Sequence, residues 1–388
     1  MKKESIIFIA CITVFLAQLG ITMYLPALPA LAKAFSSPPQ DVALALSAFL
    51  VGMAAPMLAW GGLGQRYGRK AILSISLLLY AACSAAIPMT HQVEAFILLR
   101  FLQGMGASGM SVMSRVMIKD HFSGAQLAKS LSWLSISFVI SLGVGQFLGS
   151  LLLASLGWQA IFFSLAIATL ALLLVLAGLP SPASQPAGDS QSGIKAYATL
   201  LRSRDFLLPA LAGGLGYAVI ITFNACAPFI FQDALHWSAS EYGLLGWPIS
   251  LSYFAGAWLV NRYVVRKGRH FFILLGLSVL LAGCALMLLG GVLRLSLLLW
   301  LPYCLAVIGQ AMNYPVSLAI ATENSPVAGP YAMALCGFMH QLMAAAIGAV
   351  ASTLPGQPIW PSAGLMCMLA LAAFAAFARS RQPSLSPA

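Results

Sequence analysis

Acidic side chains are scarce in this 388-residue chain: nine Asp and Glu stand against twenty Lys and Arg, and only 7% of the residues are charged. Soluble domains carry about 25% charge, so a water-soluble enzyme or an acidic solvating tail is excluded. The seven cysteines (Cys11, Cys83, Cys226, Cys284, Cys304, Cys336 and Cys367) fall singly in apolar runs, without metal-ligand or redox spacing. They read as small packing residues, and neither a metal nor a cofactor is expected. The GxxxxGK[ST] phosphate loop and the HExxH helix are both missing, which argues against ATP-driven transport within the chain and against an intramembrane metalloprotease. A rhomboid-like Ser–His pairing and a channel's charged rings or filter are not visible either. The net charge of +11 could attract nucleic acid. The basic residues, however, sit in separate short loops with no aromatic platform, so no nucleic-acid partner is expected.

What is abundant is apolar length, with 61% of the residues hydrophobic. A hydrocarbon layer of ~30 Å is crossed by about 20 apolar residues in a helix. Runs of that kind are predicted near 5–25, 41–64, 71–89, 94–117, 127–154, 158–179, 205–231, 240–262, 270–290, 293–321, 327–353 and 359–378. The first lacks a small-residue cleavage site and continues into TMYLPALPALAKAF, so it is read as a retained helix rather than a signal peptide.

Sixteen of the twenty cationic residues fall in alternate gaps between these runs: Lys2, Lys3, Arg66, Arg69, Lys70, Lys119, Lys129, Lys195, Arg202, Arg204, Arg262, Arg266, Lys267, Arg269, Arg379 and Arg381. The opposite gaps hold only Lys33 and Arg294. Short cytoplasmic loops carry the Lys/Arg excess, so both ends are expected in the cytoplasm. The expectation is an all-α integral membrane protein of twelve transmembrane helices in two six-helix bundles, 1–180 and 205–388. The Pro/Ser/Gly-rich, then basic, stretch 181–204 would join them in the cytoplasm. Gln65-Arg66-Tyr67 and Asn261-Arg262-Tyr263 close the second and eighth runs alike, as a duplicated 6+6 carrier would. Interior Pro or Gly stands beside polar neighbours at Pro26, Pro29, Pro228, Pro248, Pro315 and Gly337, and proline there would bend a helix where neighbours or a cavity satisfy the freed carbonyl. Gly143, Gly145 and Gly149 would let two helices approach closely.

All nine acids lie in loops or within about a turn of a predicted helix end. The candidates at depth are therefore Arg100 and His340. An arginine is always charged and requires a partner when buried; backbone carbonyls, Gln103, Gln146 or an anionic substrate could serve, or the side chain could snorkel to the interface. His340 suits a proton carrier, or equally a neutral hydrogen-bonded packing residue. Arg115, Lys119 and Asp120 lie at the end of the fourth helix, where a positive charge complements the C-terminus, and read as gate or anchor. Met23, Tyr24, Gln103, Gln146, Phe223, Asn224, Tyr253, Asn313 and Tyr314 supply the aromatic and polar groups of a transport cavity; each could instead hold helices together.

GGLGQRYGRKAIL at 61–73, LLRFLQGMGASGM at 98–110, MYLPALPALAKAF at 23–35 and GWQAIFF at 157–163 keep a fixed order and spacing. Together they resemble the major facilitator superfamily, in particular the twelve-helix drug–proton antiporters of the Bcr/CflA branch. The resemblance implies alternating access, with Arg100 facing a central cavity and coupled to the first helix, and Gln65, Arg66, Gly68, Arg69 and Lys70 forming a cytoplasmic gate. It also implies a small organic substrate, proton exchange, a bilayer of a bacterial inner membrane and a monomer. The chain departs from that pattern at Thr22 and Gln65, where the branch usually carries acids, and at Gln146, where its helix 5 signature carries proline.

The expectation is a carrier that exports small amphiphilic organic compounds in exchange for protons. His340 and Arg100 would be the coupling groups, and both would join the cavity residues in binding substrate. The alternative is an exporter or facilitator of an anionic or zwitterionic metabolite (siderophore- or nucleoside-like), bound by Arg100, with weak or His340-based coupling.

Overall fold

The computed structural model describes residues 3–122, 124–178, 193–293, 297–323, 325–327, 329–354 and 360–379. Among these, no strand is present and twelve helical spans are long and apolar enough to cross a membrane. They are span 1 (Glu4–Ala34), span 2 (Pro39–Trp60), span 3 (Arg69–Met89), span 4 (Val93–His121), span 5 (Trp133–Leu156) and span 6 (Trp158–Ala177). Span 7 (Arg204–Ala234), span 8 (Ala239–Lys267), span 9 (Arg269–Leu293), span 10 (Leu297–Glu323), span 11 (Tyr331–Ser352) and span 12 (Trp360–Ala378) follow.

Not every interior Pro or Gly interrupts its helix: Leu297–Glu323 runs through Pro302 and Pro315, and Gly329–Ser352 through Gly337, whereas spans 1, 7 and 8 are interrupted. Span 1 runs as a helix over Lys3–Thr22, tightens to a 3₁₀ turn at Leu25–Ala27 and resumes at Leu28–Ala34. Pro26 and Pro29 lack the amide hydrogens that a continuous helix would use. Span 7 is an α-helix over Arg204–Phe229 and closes in a π-helical turn, Ile230–Ala234, just after Pro228. Span 8 begins with the short helix Ala239–Leu244, started by a capping box between Ser238 and Glu241, and continues as Gly246–Lys267.

The chain forms two compact units. One comprises Met1–Asp189, Asn224–Ser250 and Gly348–Gln357; the other comprises Ser190–Phe223, Leu251–Ile347 and Pro358–Ala388. In the first, span 5 is wedged between two neighbours by its small residues. A Cβ on Gly149 would collide with the Met23 carbonyl, and one on Gly145 with the Thr22 hydroxyl. A Cβ on Gly143 would sit 2.8 Å from the Gly246 carbonyl on span 8. The stripe thus serves two approaches, to span 1 and to span 8. Polar bonds seal both: Thr22 Oγ1 donates to Ser141 O (3.0 Å) and Ser250 Oγ to Val139 O (3.1 Å).

In the second unit, part of the polar stretch predicted as a connection is itself helical. Residues 181–192 lie outside the described set, but Gly193–Arg202 form a helix. Ala196 and Leu200 are buried, and Leu200 joins Phe206, Ala210, Ala321, Leu335 and Cys336 in one apolar cluster. The Tyr197 ring meets Tyr331 edge-on at 5.6 Å. Apolar residues at 196, 197 and 200 share a helical face, which explains why this segment docks.

Candidate functional site

Arg100 sits two turns into span 4 and is wholly buried, with 0% of its surface exposed. One guanidinium nitrogen, Nη2, donates to the Gly20 carbonyl (2.8 Å), and Nη1 bonds the Gln103 side-chain oxygen. Gln103 passes the bond on, its Nε2 donating to Ser84 Oγ (2.7 Å). The guanidinium carbon lies 4.1 Å from the Tyr24 ring centroid and 4.3 Å from that of Phe49. Aromatic faces are negative and stabilise a desolvated cation. No carboxylate takes part. The Gly20 carbonyl is available because span 1 leaves regular helix geometry just beyond it, at Thr22. Arg100, Gln103 and Tyr24, expected together in a cavity, therefore do meet. Met23 is buried next to Tyr24, and its carbonyl faces Gly149.

Gln146 takes a different position. Its Nε2 donates to the Tyr242 carbonyl (3.0 Å), bridging spans 5 and 8 within the first unit, and it does not bond Arg100. Asn224 belongs to this unit and is half-buried.

The second unit gathers another polar cluster. His340 is 1% exposed, and its Nε2 lies 2.9 Å from the Ala210 carbonyl. A carbonyl only accepts, so Nε2 carries the hydrogen; Nδ1 is left without a hydrogen-bond partner. Cys336, one turn earlier, places its sulfur 3.4 Å from the same Nε2. The Tyr314 ring stands 5.1 Å from the imidazole, and the Tyr217 ring 5.8 Å from Tyr314. Gly213 and Gly214 make room for the ring: a Cβ on Gly213 would lie 3.2 Å from His340 Nε2. Beside it, Asn313 Nδ2 donates to Ala212 O (3.1 Å), while Asn313 Oδ1 accepts from Ser317 Oγ (2.6 Å). Phe223 stacks on Tyr303 with centroids 3.4 Å apart, and Tyr253 is half-buried in the same unit.

The expected gate residues straddle the junction at Gly68, between the end of the helix Met57–Tyr67 and the start of span 3. Gly68 has φ +92°, a conformation that favours glycine. Arg69 Nε pairs with Asp120 Oδ2 at the end of span 4 (3.1 Å), and Lys70 Nζ donates to the Ala177 carbonyl (3.2 Å). The exposed Arg66 lies over the Tyr67 ring at 5.3 Å. The Gln65 side chain lies outside the described set. The second unit repeats the device: Gly268 has φ +84°, and Arg269 pairs with Glu323 at the end of span 10. Sequence reading missed Gly20, Ser84 and Phe49 around Arg100, and Ala210, Cys336, Gln310 and Ser317 in the second cluster. Gln310, one turn before Asn313, carried a usable signal; the carbonyls of Gly20 and Ala210 had none.

The chain that folds in this way matches the family model for the major facilitator superfamily over residues 10–349. The chain belongs to that superfamily. It is a membrane transporter, not an enzyme. It is 29% identical over 269 residues to the transporter YdgK of Bacillus subtilis, covering 68% of this chain and 67% of the relative. The chloramphenicol resistance protein CraA of Acinetobacter baumannii is 27% identical over 81% of this chain and 77% of its own. A bicyclomycin resistance protein homolog of Haemophilus influenzae is 26% identical over 91% and 90%. Among solved structures, a D-xylose–proton symporter superposes with a TM-score of 0.79 over 96% of this chain and 97% of its own, at 17% identity. That likeness concerns the fold.

Proposed function

We propose that this transporter exports small amphiphilic organic compounds across a bacterial inner membrane in exchange for protons, as a member of the Bcr/CflA branch. The observation that carries the export reading is the run of resistance proteins among its relatives, those for chloramphenicol and bicyclomycin above all. The halves that alternate are 1–180 and 205–388, joined through 181–204, with both ends in the cytoplasm and one copy working as a monomer. The matching turns at Gly68–Arg69 and Gly268–Arg269 support the duplication. On this orientation those turns form the cytoplasmic gate, with Gln65, Arg66 and Lys70, and the Pro26 end of span 1 faces outward.

The compound is held by Met23, Tyr24, Gln103, Phe223, Asn224, Tyr253, Asn313, Tyr314 and His340, with Arg100 and Gln146 taking part as access changes. Coupling rests on His340 together with Arg100. No carboxylate lies deep in a span among the described residues, and His340 Nδ1 is a proton acceptor without a partner. The alternative, an anionic or zwitterionic metabolite bound by Arg100, is disfavoured because both terminal nitrogens and both faces of that guanidinium already carry protein groups, leaving Nε alone without a partner.

The test is flux in inverted membrane vesicles with and without an imposed pH gradient, using chloramphenicol as probe. Gradient-dependent uptake by wild type, lost in His340→Ala while downhill flux persists, is the expected result. Gradient-driven flux unchanged in His340→Ala removes the histidine from coupling. An Arg100→Ala variant that loses anionic substrates alone would favour the alternative.

A further inference from the structure

A cleft of about 340 Å³ opens in the first unit, away from the Arg100 cluster, among Pro39, Gln40 and Ala43 at the start of span 2, the end of span 7 and the end of span 11. Its volume falls within the range of small-molecule sites. The walls are mostly apolar: Phe229 and Ala225 on one side, Ala351 and Leu354 on another. Cys226 lines it and is nearly buried, its thiol 3.5 Å from the Ala351 carbonyl. Among the lining residues only Asp233 carries a charge, and it makes no ion pair among the described residues.

The backbone fixes the turn that carries this exposed carboxylate. Asp233 lies in the π-helical turn Ile230–Ala234, a type of irregularity frequent at functional sites. Leu235 N closes the turn on Ile230 O (3.0 Å), and the neighbouring Gln232 donates from Nε2 to the Pro26 carbonyl (2.9 Å). Phe231 packs edge-on against Trp237 at 4.9 Å. Gln232 and Phe231 are thus anchored, while Asp233 between the turn's two ends faces the cleft. In a chain of net charge +11, an exposed carboxylate that makes no ion pair among the described residues, beside an aromatic ring and aliphatic walls, selects for one sign of charge.

We propose that this cleft binds an amphiphilic organic cation, with its charge at Asp233 and its apolar body against Phe229, Ala225 and Leu354. The inference rests on the exporter reading, on whose orientation the cleft lies at the outer end and holds the compound as it leaves. The amide of Gln40, at the exposed rim, would serve a polar substituent.

The experiment uses the full-length protein in detergent and reads N-ethylmaleimide alkylation of Cys226 by peptide mass mapping, so the other cysteines remain in place. Tetraphenylphosphonium is the probe, and tetraphenylborate, of the same shape and opposite charge, is the control. The cation should slow alkylation of Cys226 in wild type, and Asp233→Asn should weaken that protection about fivefold, the scale of a partly exposed ion pair. Gln40→Trp, which narrows the mouth from an exposed position, should weaken it too. Equal protection by the two ions, or protection unchanged in Asp233→Asn, overturns the proposal. Tetraphenylphosphonium flux in vesicles is measured in parallel. Charge-selective protection without flux upholds the cleft and sinks the exporter reading; flux without protection does the reverse.

Discussion

Each unit buries one nitrogen-rich side chain, and the two are satisfied to different degrees. Arg100 spends its two terminal nitrogens on Gly20 and Gln103 and its faces on Tyr24 and Phe49, and its Nε is left without a hydrogen-bond partner. His340 fixes one nitrogen on Ala210 and leaves the other unpartnered. A charge that cannot be discharged needs most of its donors and both faces engaged when buried, whereas a neutral imidazole can be buried on a single bond. The difference suggests a division of labour within the proposed coupling pair, in which the arginine ties span 1 to span 4 and the histidine exchanges the proton.

The largest effect should therefore follow removal of the arginine. Arg100→Ala strands the Gly20 carbonyl and the Gln103 oxygen, at roughly 1–3 kcal/mol for each unsatisfied buried group. A loss of about 3 kcal/mol is expected, read as a lower thermal midpoint in detergent and reduced recovery of folded protein. Arg100→Lys keeps the charge but not the planar fork and should recover only part of it. If Arg100→Ala melts like wild type, the guanidinium is not a structural fixture and the contrast collapses.

Substitutions at His340 should cost less stability and more coupling. His340→Gln can still donate to Ala210 from a position near that of Nε2, whereas His340→Asn places its amide nearer Nδ1. Stability within about 1 kcal/mol of wild type is expected for the glutamine variant, the scale of one intramolecular hydrogen bond. Gradient-driven flux should be lost in both, with downhill flux retained. A glutamine variant that still responds to the gradient would leave the coupling with some other group.

Why some of this was legible in the sequence follows from what lipid demands. An unsatisfied backbone is so costly in hydrocarbon that spans must be long, helical and apolar, so the twelve runs could be read directly, although span 1 continues to Ala34, well past the predicted end at 25. The Arg100–Gln103 bond was readable too, since residues three apart share a helical face. The Gly20 and Ala210 carbonyls were not, because a backbone acceptor has no signature in residue type. The repeat was seen one turn out of register. Matching Gln65-Arg66-Tyr67 to Asn261-Arg262-Tyr263 follows basic and aromatic residues that are common at any membrane interface. The structural equivalence instead pairs Gly68 with Gly268, where a positive φ restricts the residue.

Gln146 tests whether a polar bridge has replaced a rigid bend. Its bond to the Tyr242 carbonyl joins spans 5 and 8, and amide bonds between membrane helices contribute about 0.6 kcal/mol on average. Gln146→Ala should thus leave the thermal midpoint nearly unchanged while exposing Tyr242, read as faster backbone hydrogen exchange over 239–246. Gln146→Pro removes the bridge and a helix donor together, so it should slow transport more than the alanine variant does. Equal exchange in wild type and Gln146→Ala would mean that the bridge holds nothing.

The smallest effects belong to the two ion-paired turns, and they sharpen the comparison between units. Partly exposed pairs contribute about 0–1 kcal/mol, and the side chains of Arg69 and Asp120 are 20% and 27% exposed, against 49% and 56% for Arg269 and Glu323. Screening by water and salt is weaker at the first turn. Asp120→Asn should accordingly alter transport more than Glu323→Gln, and its effect should shrink less when ionic strength is raised. Lys70 adds a second tie at the first turn through the Ala177 carbonyl, which salt leaves largely intact. A larger effect at Glu323 would mean that burial is not what ranks these turns, and that the duplicated device works mainly in the second unit.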